Sequence, residues 1–130
     1  MRIETYFQEL RQIIEACSVA QSYNVRFDKR GTYEGFIKGE IYLVDGSTLH
    51  VREFVDVEVA VEHLTYVYQY MSPTKRLIFR YDNTGHHRQL NLSTYPHHKH
   101  EGDENHVVAS SAPDLDAVLK EIEPLIQLPT

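Results

Sequence analysis

Three short runs in the second half of the chain concentrate its reactive side chains: Arg80-Tyr81-Asp82-Asn83, then His86-His87, then Pro96-His97-His98-Lys99-His100. Five of the eight histidines lie there. Imidazole is the side chain that gives and accepts protons near neutral pH, so several histidines beside Arg and Lys form a candidate acid-base site. Cleavage of RNA by its own 2′-hydroxyl needs those parts. One histidine removes the hydroxyl proton, a second protonates the leaving 5′-oxygen, and Lys99 or Arg80 stabilises the charge gathering on the phosphoryl oxygens. No metal or other cofactor is required for that route. The candidate catalytic residues are therefore His86, His87, His97, His98, Lys99, His100 and Arg80.

A metal site is the rival chemistry for the same residues. His98 and His100, two apart, point the same way on an extended chain and would share an ion with His86. Neither a paired-cysteine nor a HExxH motif accompanies them. Glu53 adds a carboxylate on an otherwise apolar strand parity, which is costly to bury unless paired. It is read either as half of a structural pair or as a partner for Arg80 or a catalytic histidine, whose tautomer it would fix. Tyr66, Tyr68 and Tyr70 alternate, and serve either sheet packing or the stacking of bases. Asp82, Asn83 and Arg88, with Tyr66 and Tyr68, are the candidate substrate contacts.

Positioning those groups requires a sheet. Ile3, Phe7, Leu10, Ile14 and Cys17 recur at spacings of three and four, predicting an amphipathic helix over Ile3 to Cys17 with Cys17 in its apolar stripe. From Ser22 the period becomes two: Tyr23, Val25 and Phe27 in a strand ended by Gly31, then Ile37, Ile41 and Leu43 within Tyr33 to Val44. Asp45-Gly46 is a hairpin signal, followed by a strand from Thr48 to about Val57. Glu58 to Met71 is ambiguous, and the tyrosine alternation favours a strand. A turn at Ser72-Pro73-Thr74 leads to a strand carrying Leu77, Phe79 and Tyr81, and polar residues from His86 to Asn105 predict a long loop. Ser111 and Asp114 resemble a capped helix start, with Leu115, Val118, Leu119 and Ile122 as its stripe and Pro124 at its end. The expected class is α+β: an antiparallel meander of about five strands with the N- and C-terminal helices packed on one face.

The chain has 130 residues, 42% of them hydrophobic and 25% charged, and one cysteine. These values suit a single domain over 1–130 and argue against disorder or a disulfide scaffold. No basic n-region precedes an apolar stretch and no apolar run approaches the ~20 residues of a membrane span, so a cytoplasmic protein is expected. The net charge of -6 argues against a general nucleic-acid coat. Charge is unevenly spread, however. Residues 75–100 carry five basic side chains against one acidic, a local balance of +4, while the remainder stands at -10. Such asymmetry marks a local anion site.

The runs Arg80-Tyr81-Asp82-Asn83, His86-His87 and Pro96-His97-His98-Lys99-His100 resemble the TumE-like family, toxins of bacterial type II toxin-antitoxin modules. Leu49 through Glu53 and the tyrosine-rich Tyr66 to Tyr70 stretch are also similar to that family, whereas the first forty residues add little. Thr84-Gly85 stands where alanine-proline is common, and Tyr95 where phenylalanine is common. The resemblance implies a small cytoplasmic protein that arrests growth and is neutralised by a cognate antitoxin, often of helix-turn-helix type. It marks Glu53, Arg80, Asp82, His86, His87, His97, His98, Lys99 and His100 as site residues; their roles come from the chemistry above. The leading reading is a metal-independent ribonuclease toxin acting on RNA or a nucleotide. A metal-dependent hydrolase or transferase and a binding module without chemistry are its rivals, and a homodimer is left open.

Overall fold

The computed structural model describes residues 1–83, 97–103, 107–110 and 112–126. Helix α1 (Ile3–Ala16) is followed by strands β1 (Ala20–Lys29), β2 (Glu34–Leu43), β3 (Thr48–Asp56), β4 (Glu62–Met71), β5 (Leu77–Asp82), β6 (His98–Glu101) and β7 (Val107–Ala109). Helix α2 (Leu115–Ile122) and a 3-10 turn (Glu123–Leu125) follow. All seven strands pair antiparallel in chain order, a meander. Among the described residues there are two more strands than the about five expected. Both fall at or just beyond the segment expected as loop, because β6 reads His-Lys-His-Glu and lacks the apolar alternation that announces a strand.

Pairing register sorts side chains between the two faces, since neighbours along a strand point to opposite sides. One face carries Ile37, Ile41, Leu49, Val51, Val55, Tyr66, Tyr68, Tyr70, Phe79 and Tyr81, all buried. They form one core with Ile3, Tyr6, Phe7, Leu10 and Ile14 of α1 and with Leu115, Val118, Leu119 and Ile122 of α2. The helices thus cover the same face. α1 is tied down at its start by the Ile3 amide donating to the Thr32 carbonyl at 3.0 Å. α2 begins at Asp114, whose carboxylate accepts from the Ala117 amide at 2.8 Å, a cap that satisfies one of the helix's free N–H groups. Asp114 was expected three residues inside this helix, behind a Ser111 cap with Pro113 in the first turn; the helix instead starts after Asp114, and Ser111 lies outside the described residues.

β1 and β2 approach so closely that Gly39 has no room for a side chain. A Cβ there would collide with the Asn24 carbonyl oxygen and sit 2.5 Å from the Val25 Cα, backbone atoms held by the β1–β2 ladder. Gly39→Ala is therefore expected to destabilise the fold by about 2 kcal/mol. Thermal denaturation should show the midpoint falling by roughly 5–10 °C, and an unchanged midpoint would refute the close approach.

Candidate functional site

β5 and β6 build the most concentrated polar cluster. Their register sets Asp82 opposite His98, Tyr81 opposite Lys99 and Arg80 opposite His100. Asp82, His98 and His100 lie on the face away from the helices, yet all three are buried, at 1%, 2% and 6% exposure. The Asp82 carboxylate is the hub. His98 Nε2 is 2.7 Å from Oδ1, His100 Nε2 is 3.4 Å from Oδ2, and Arg80 Nε is 3.0 Å from Oδ2. The two imidazoles meet edge to face, with centroids 5.0 Å apart. A nitrogen from each ring and a carboxylate oxygen fall within 4.8 Å of one another, an arrangement suited to relaying a proton or to gripping a cation.

Two cross-strand rows lead to this cluster along the same face. One runs Arg26, Lys38, Arg52, Val67, Asp82, His98; the other runs Asn24, Glu40, His50, Gln69, Arg80, His100. Between them lies a cavity of about 320 Å³ whose lining includes Lys38, Glu40, His50, Arg52, Val67, Gln69 and Arg80. Arg80 Nη1 donates to Gln69 Oε1 at 3.4 Å, and His50 Nδ1 is 3.2 Å from Glu40 Oε1. Arg26, Lys38 and Arg52 are exposed and stand directly opposite one another, and among the described residues none of them makes an ion pair. Like charges facing across strands cost stability.

Glu53 belongs to the other face. Fully buried, its carboxylate accepts hydrogen bonds from the Tyr6 hydroxyl (2.5 Å, Oε1) and the Tyr68 hydroxyl (2.8 Å, Oε2), with His63 Nε2 3.1 Å from Oε1. Its partners are thus Tyr6, Tyr68 and His63 instead of Arg80. Tyr66 stacks on Tyr68 at 5.6 Å and on His97 at 5.8 Å, and its hydroxyl is 2.9 Å from His97 Nδ1. Both tyrosines are core residues with no ring face open to solvent. Asn83 fastens the neighbouring strand: its Oδ1 accepts from the Tyr66 amide at 2.9 Å and its Nδ2 donates to the Leu64 carbonyl at 3.1 Å.

Lys99 also faces the helices. Its ammonium lies 3.1 Å from Glu121 of α2 and 3.2 Å from Glu101, over the rings of Tyr81 and Phe79. Burial alone would lower its pKa, but hydrogen bonds with Tyr81 and Glu121 outweigh burial and raise it above the ordinary lysine range. The register thus unites Arg80, Asp82, His98 and His100, and directs Glu53, Lys99, Tyr66 and Tyr68 to the opposite side, with His97 beside Tyr66. His86, His87 and Arg88 lie outside the described residues. Tyr6 and His63 were missed in sequence because a lone tyrosine in an amphipathic helix and a lone histidine in an ambiguous segment carry no pattern. Lys38 and Arg52 had a readable signal, their shared polar parity.

Burial raises the phenol pKa of Tyr6 and Tyr68 far above its ordinary value, reinforced by the neighbouring Glu53 carboxylate. Burial raises Tyr66 as well, with Asp82 adding to it. In the unfolded chain these phenols ionise near pH ~10, so the stability they confer is complete below that pH and is lost as pH climbs toward the folded values. Alkaline titration should show Tyr6, Tyr66 and Tyr68 ionising only as near-ultraviolet circular dichroism collapses. Ionisation of all nine tyrosines with the fold intact would contradict this.

Among the described residues, no helix is long and apolar enough to cross a membrane. Neither the curated proteins nor the solved structures yield a match to the chain. A family model described as Toxin TumE matches residues 10–126, a span holding Arg26, Lys38, Arg52, Glu53 and both walls of the Asp82 cluster. With nearly the whole chain covered, the protein belongs to the TumE toxin family.

Proposed function

We propose that this toxin arrests growth by cleaving RNA on the open face of its sheet, and that a cognate antitoxin neutralises it. The observation that supports this reading is the row Arg26–Lys38–Arg52, which leads in register to Asp82 and His98. Three exposed, unbridged cations in line are costly unless an anion joins them, and a nucleic-acid backbone supplies anions at regular intervals. Arg80, at the junction of cavity and cluster, is placed to take the phosphate that reacts, because a guanidinium matches phosphate in a two-pronged geometry. His98 and His100 then serve the cleavage step, with Asp82 holding both rings in orientation. Lys99 stabilises the fold through Glu121 in this scheme, and phosphate falls to Arg80, Arg52 and Lys38.

The cationic row explains how a chain of net charge -6 would hold RNA: the partner meets a local stripe, whatever the average. A metal-dependent hydrolase is the second reading, favoured by the 4.8 Å grouping of ligand atoms around Asp82. Both readings place the reaction at the same residues.

Purified protein incubated with RNA tests the proposal. The double variant His98→Ala/His100→Ala is expected to lose about 10²–10⁴-fold in cleavage rate and to relieve growth arrest. Cleavage at the wild-type rate by that variant would sink it, and arrest without any RNA damage would favour a binding module. For the row, Lys38→Ala/Arg52→Ala should weaken binding of single-stranded RNA and flatten the slope of log affinity against log salt by about 1.4. An unaltered slope would remove the row from the interface.

A further inference from the structure

We propose that Asp82, His98 and His100 form a binding site for one divalent first-row transition ion, of which zinc is the representative. The inference builds on the site described above but needs nothing from the identity of its substrate. His98 and His100 project from the same side of β6 because they are two residues apart, and Asp82 projects beside them from β5, directly across from His98 and diagonal to His100. Two imidazole nitrogens and one carboxylate oxygen are a common donor set for such ions, and leave a position for water or substrate.

Distances and burial agree with that use. Ligands about 2.1 Å from a tetrahedral ion sit ~3.4 Å from one another. His98 Nε2 is 2.7 Å from Oδ1 and His100 Nε2 is 3.4 Å from Oδ2 of the one carboxylate, and a donor atom from each of the three residues falls within 4.8 Å of the others, so side-chain rotation brings the set to that spacing around an ion. Each of the three residues is more than nine-tenths buried, which keeps bulk water from competing for the ion. Arg80, with Nε 3.0 Å from Asp82 Oδ2, stands beside the carboxylate as an outer charge partner. The His86 ligand expected from sequence lies outside the described residues, and Asp82 supplies a third donor without it.

The test uses the full chain, untagged and purified without an immobilised-metal column, stripped with chelator and titrated with Zn²⁺ by calorimetry, with elemental analysis for stoichiometry. One zinc per chain is expected, with a melting temperature that rises with zinc concentration. Asp82→Asn, His98→Gln and His100→Gln should each weaken binding roughly 100-fold or more. Circular dichroism reports whether each variant is folded, and stoichiometry on the unaltered chain decides the question even where a variant is not. Absence of stoichiometric zinc, or zinc kept by folded Asp82, His98 and His100 variants, would overturn the site. Because the readout is binding, zinc held by a chain that leaves RNA intact would defeat the ribonuclease reading and leave this one standing, and cleavage by a chain without zinc would do the reverse.

Discussion

The pairing of β5 with β6 is the constraint on which the candidate site depends. Asp82 opposite His98 and Arg80 opposite His100 bring one carboxylate, two imidazoles and one guanidinium together, and Tyr81 opposite Lys99 sends a different pair to the other side. A shift of one residue would exchange the two sets completely, because side chains alternate with a period of two. That register is enforced from the helix side, where Phe79 and Tyr81 are buried in the core and Lys99 bridges to Glu121 of α2. Packing on one face thus fixes the chemistry of the other.

The helix side solves a different electrostatic problem. A carboxylate with no exposure, such as Glu53, is costly unless its oxygens are fully partnered. Tyr6 from α1, and Tyr68 and His63 from β4, supply those partners and thereby join the first helix to the middle of the sheet. Tyr66 and His97 continue the polar contacts toward the start of β6. The polar residues of the core hold elements in place, while those of the opposite face line a cavity and include Arg26, Lys38 and Arg52, which make no ion pair among the described residues.

Those rows explain why bulk charge is a poor guide to the partner of this toxin. Acidic residues predominate over the whole chain, but the open face presents Arg26, Lys38 and Arg52 in consecutive register and Arg80 at the cavity's end. Sheet pairing gathers cations separated by a dozen residues or more in sequence, which a count along the chain spreads across unrelated windows. The excess charge noticed between residues 75 and 100 accounts for only the Arg80 end of the stripe.

Much of the architecture was legible from periodicity alone. α1, α2 and strands β1, β2, β3 and β5 announce themselves through an apolar stripe or parity, only half-buried in β1, and β4, ambiguous over Glu58 to Met71, is favoured by its tyrosine alternation. β6 was illegible for the converse reason: its buried face is His98 and His100, polar residues set beside Asp82, so hydropathy registers a loop. Residue types likewise determined that acid-base or metal chemistry was available near Asp82 and His98. Which histidines share a carboxylate, that Lys99 and Glu53 face away from them, and that Lys38 and Arg52 line a cavity with Arg80 on the same face were decided by the tertiary structure alone. Composition and spacing describe one strand at a time, whereas proximity between strands is set by register, and register is determined by the packing of the entire sheet against its helices.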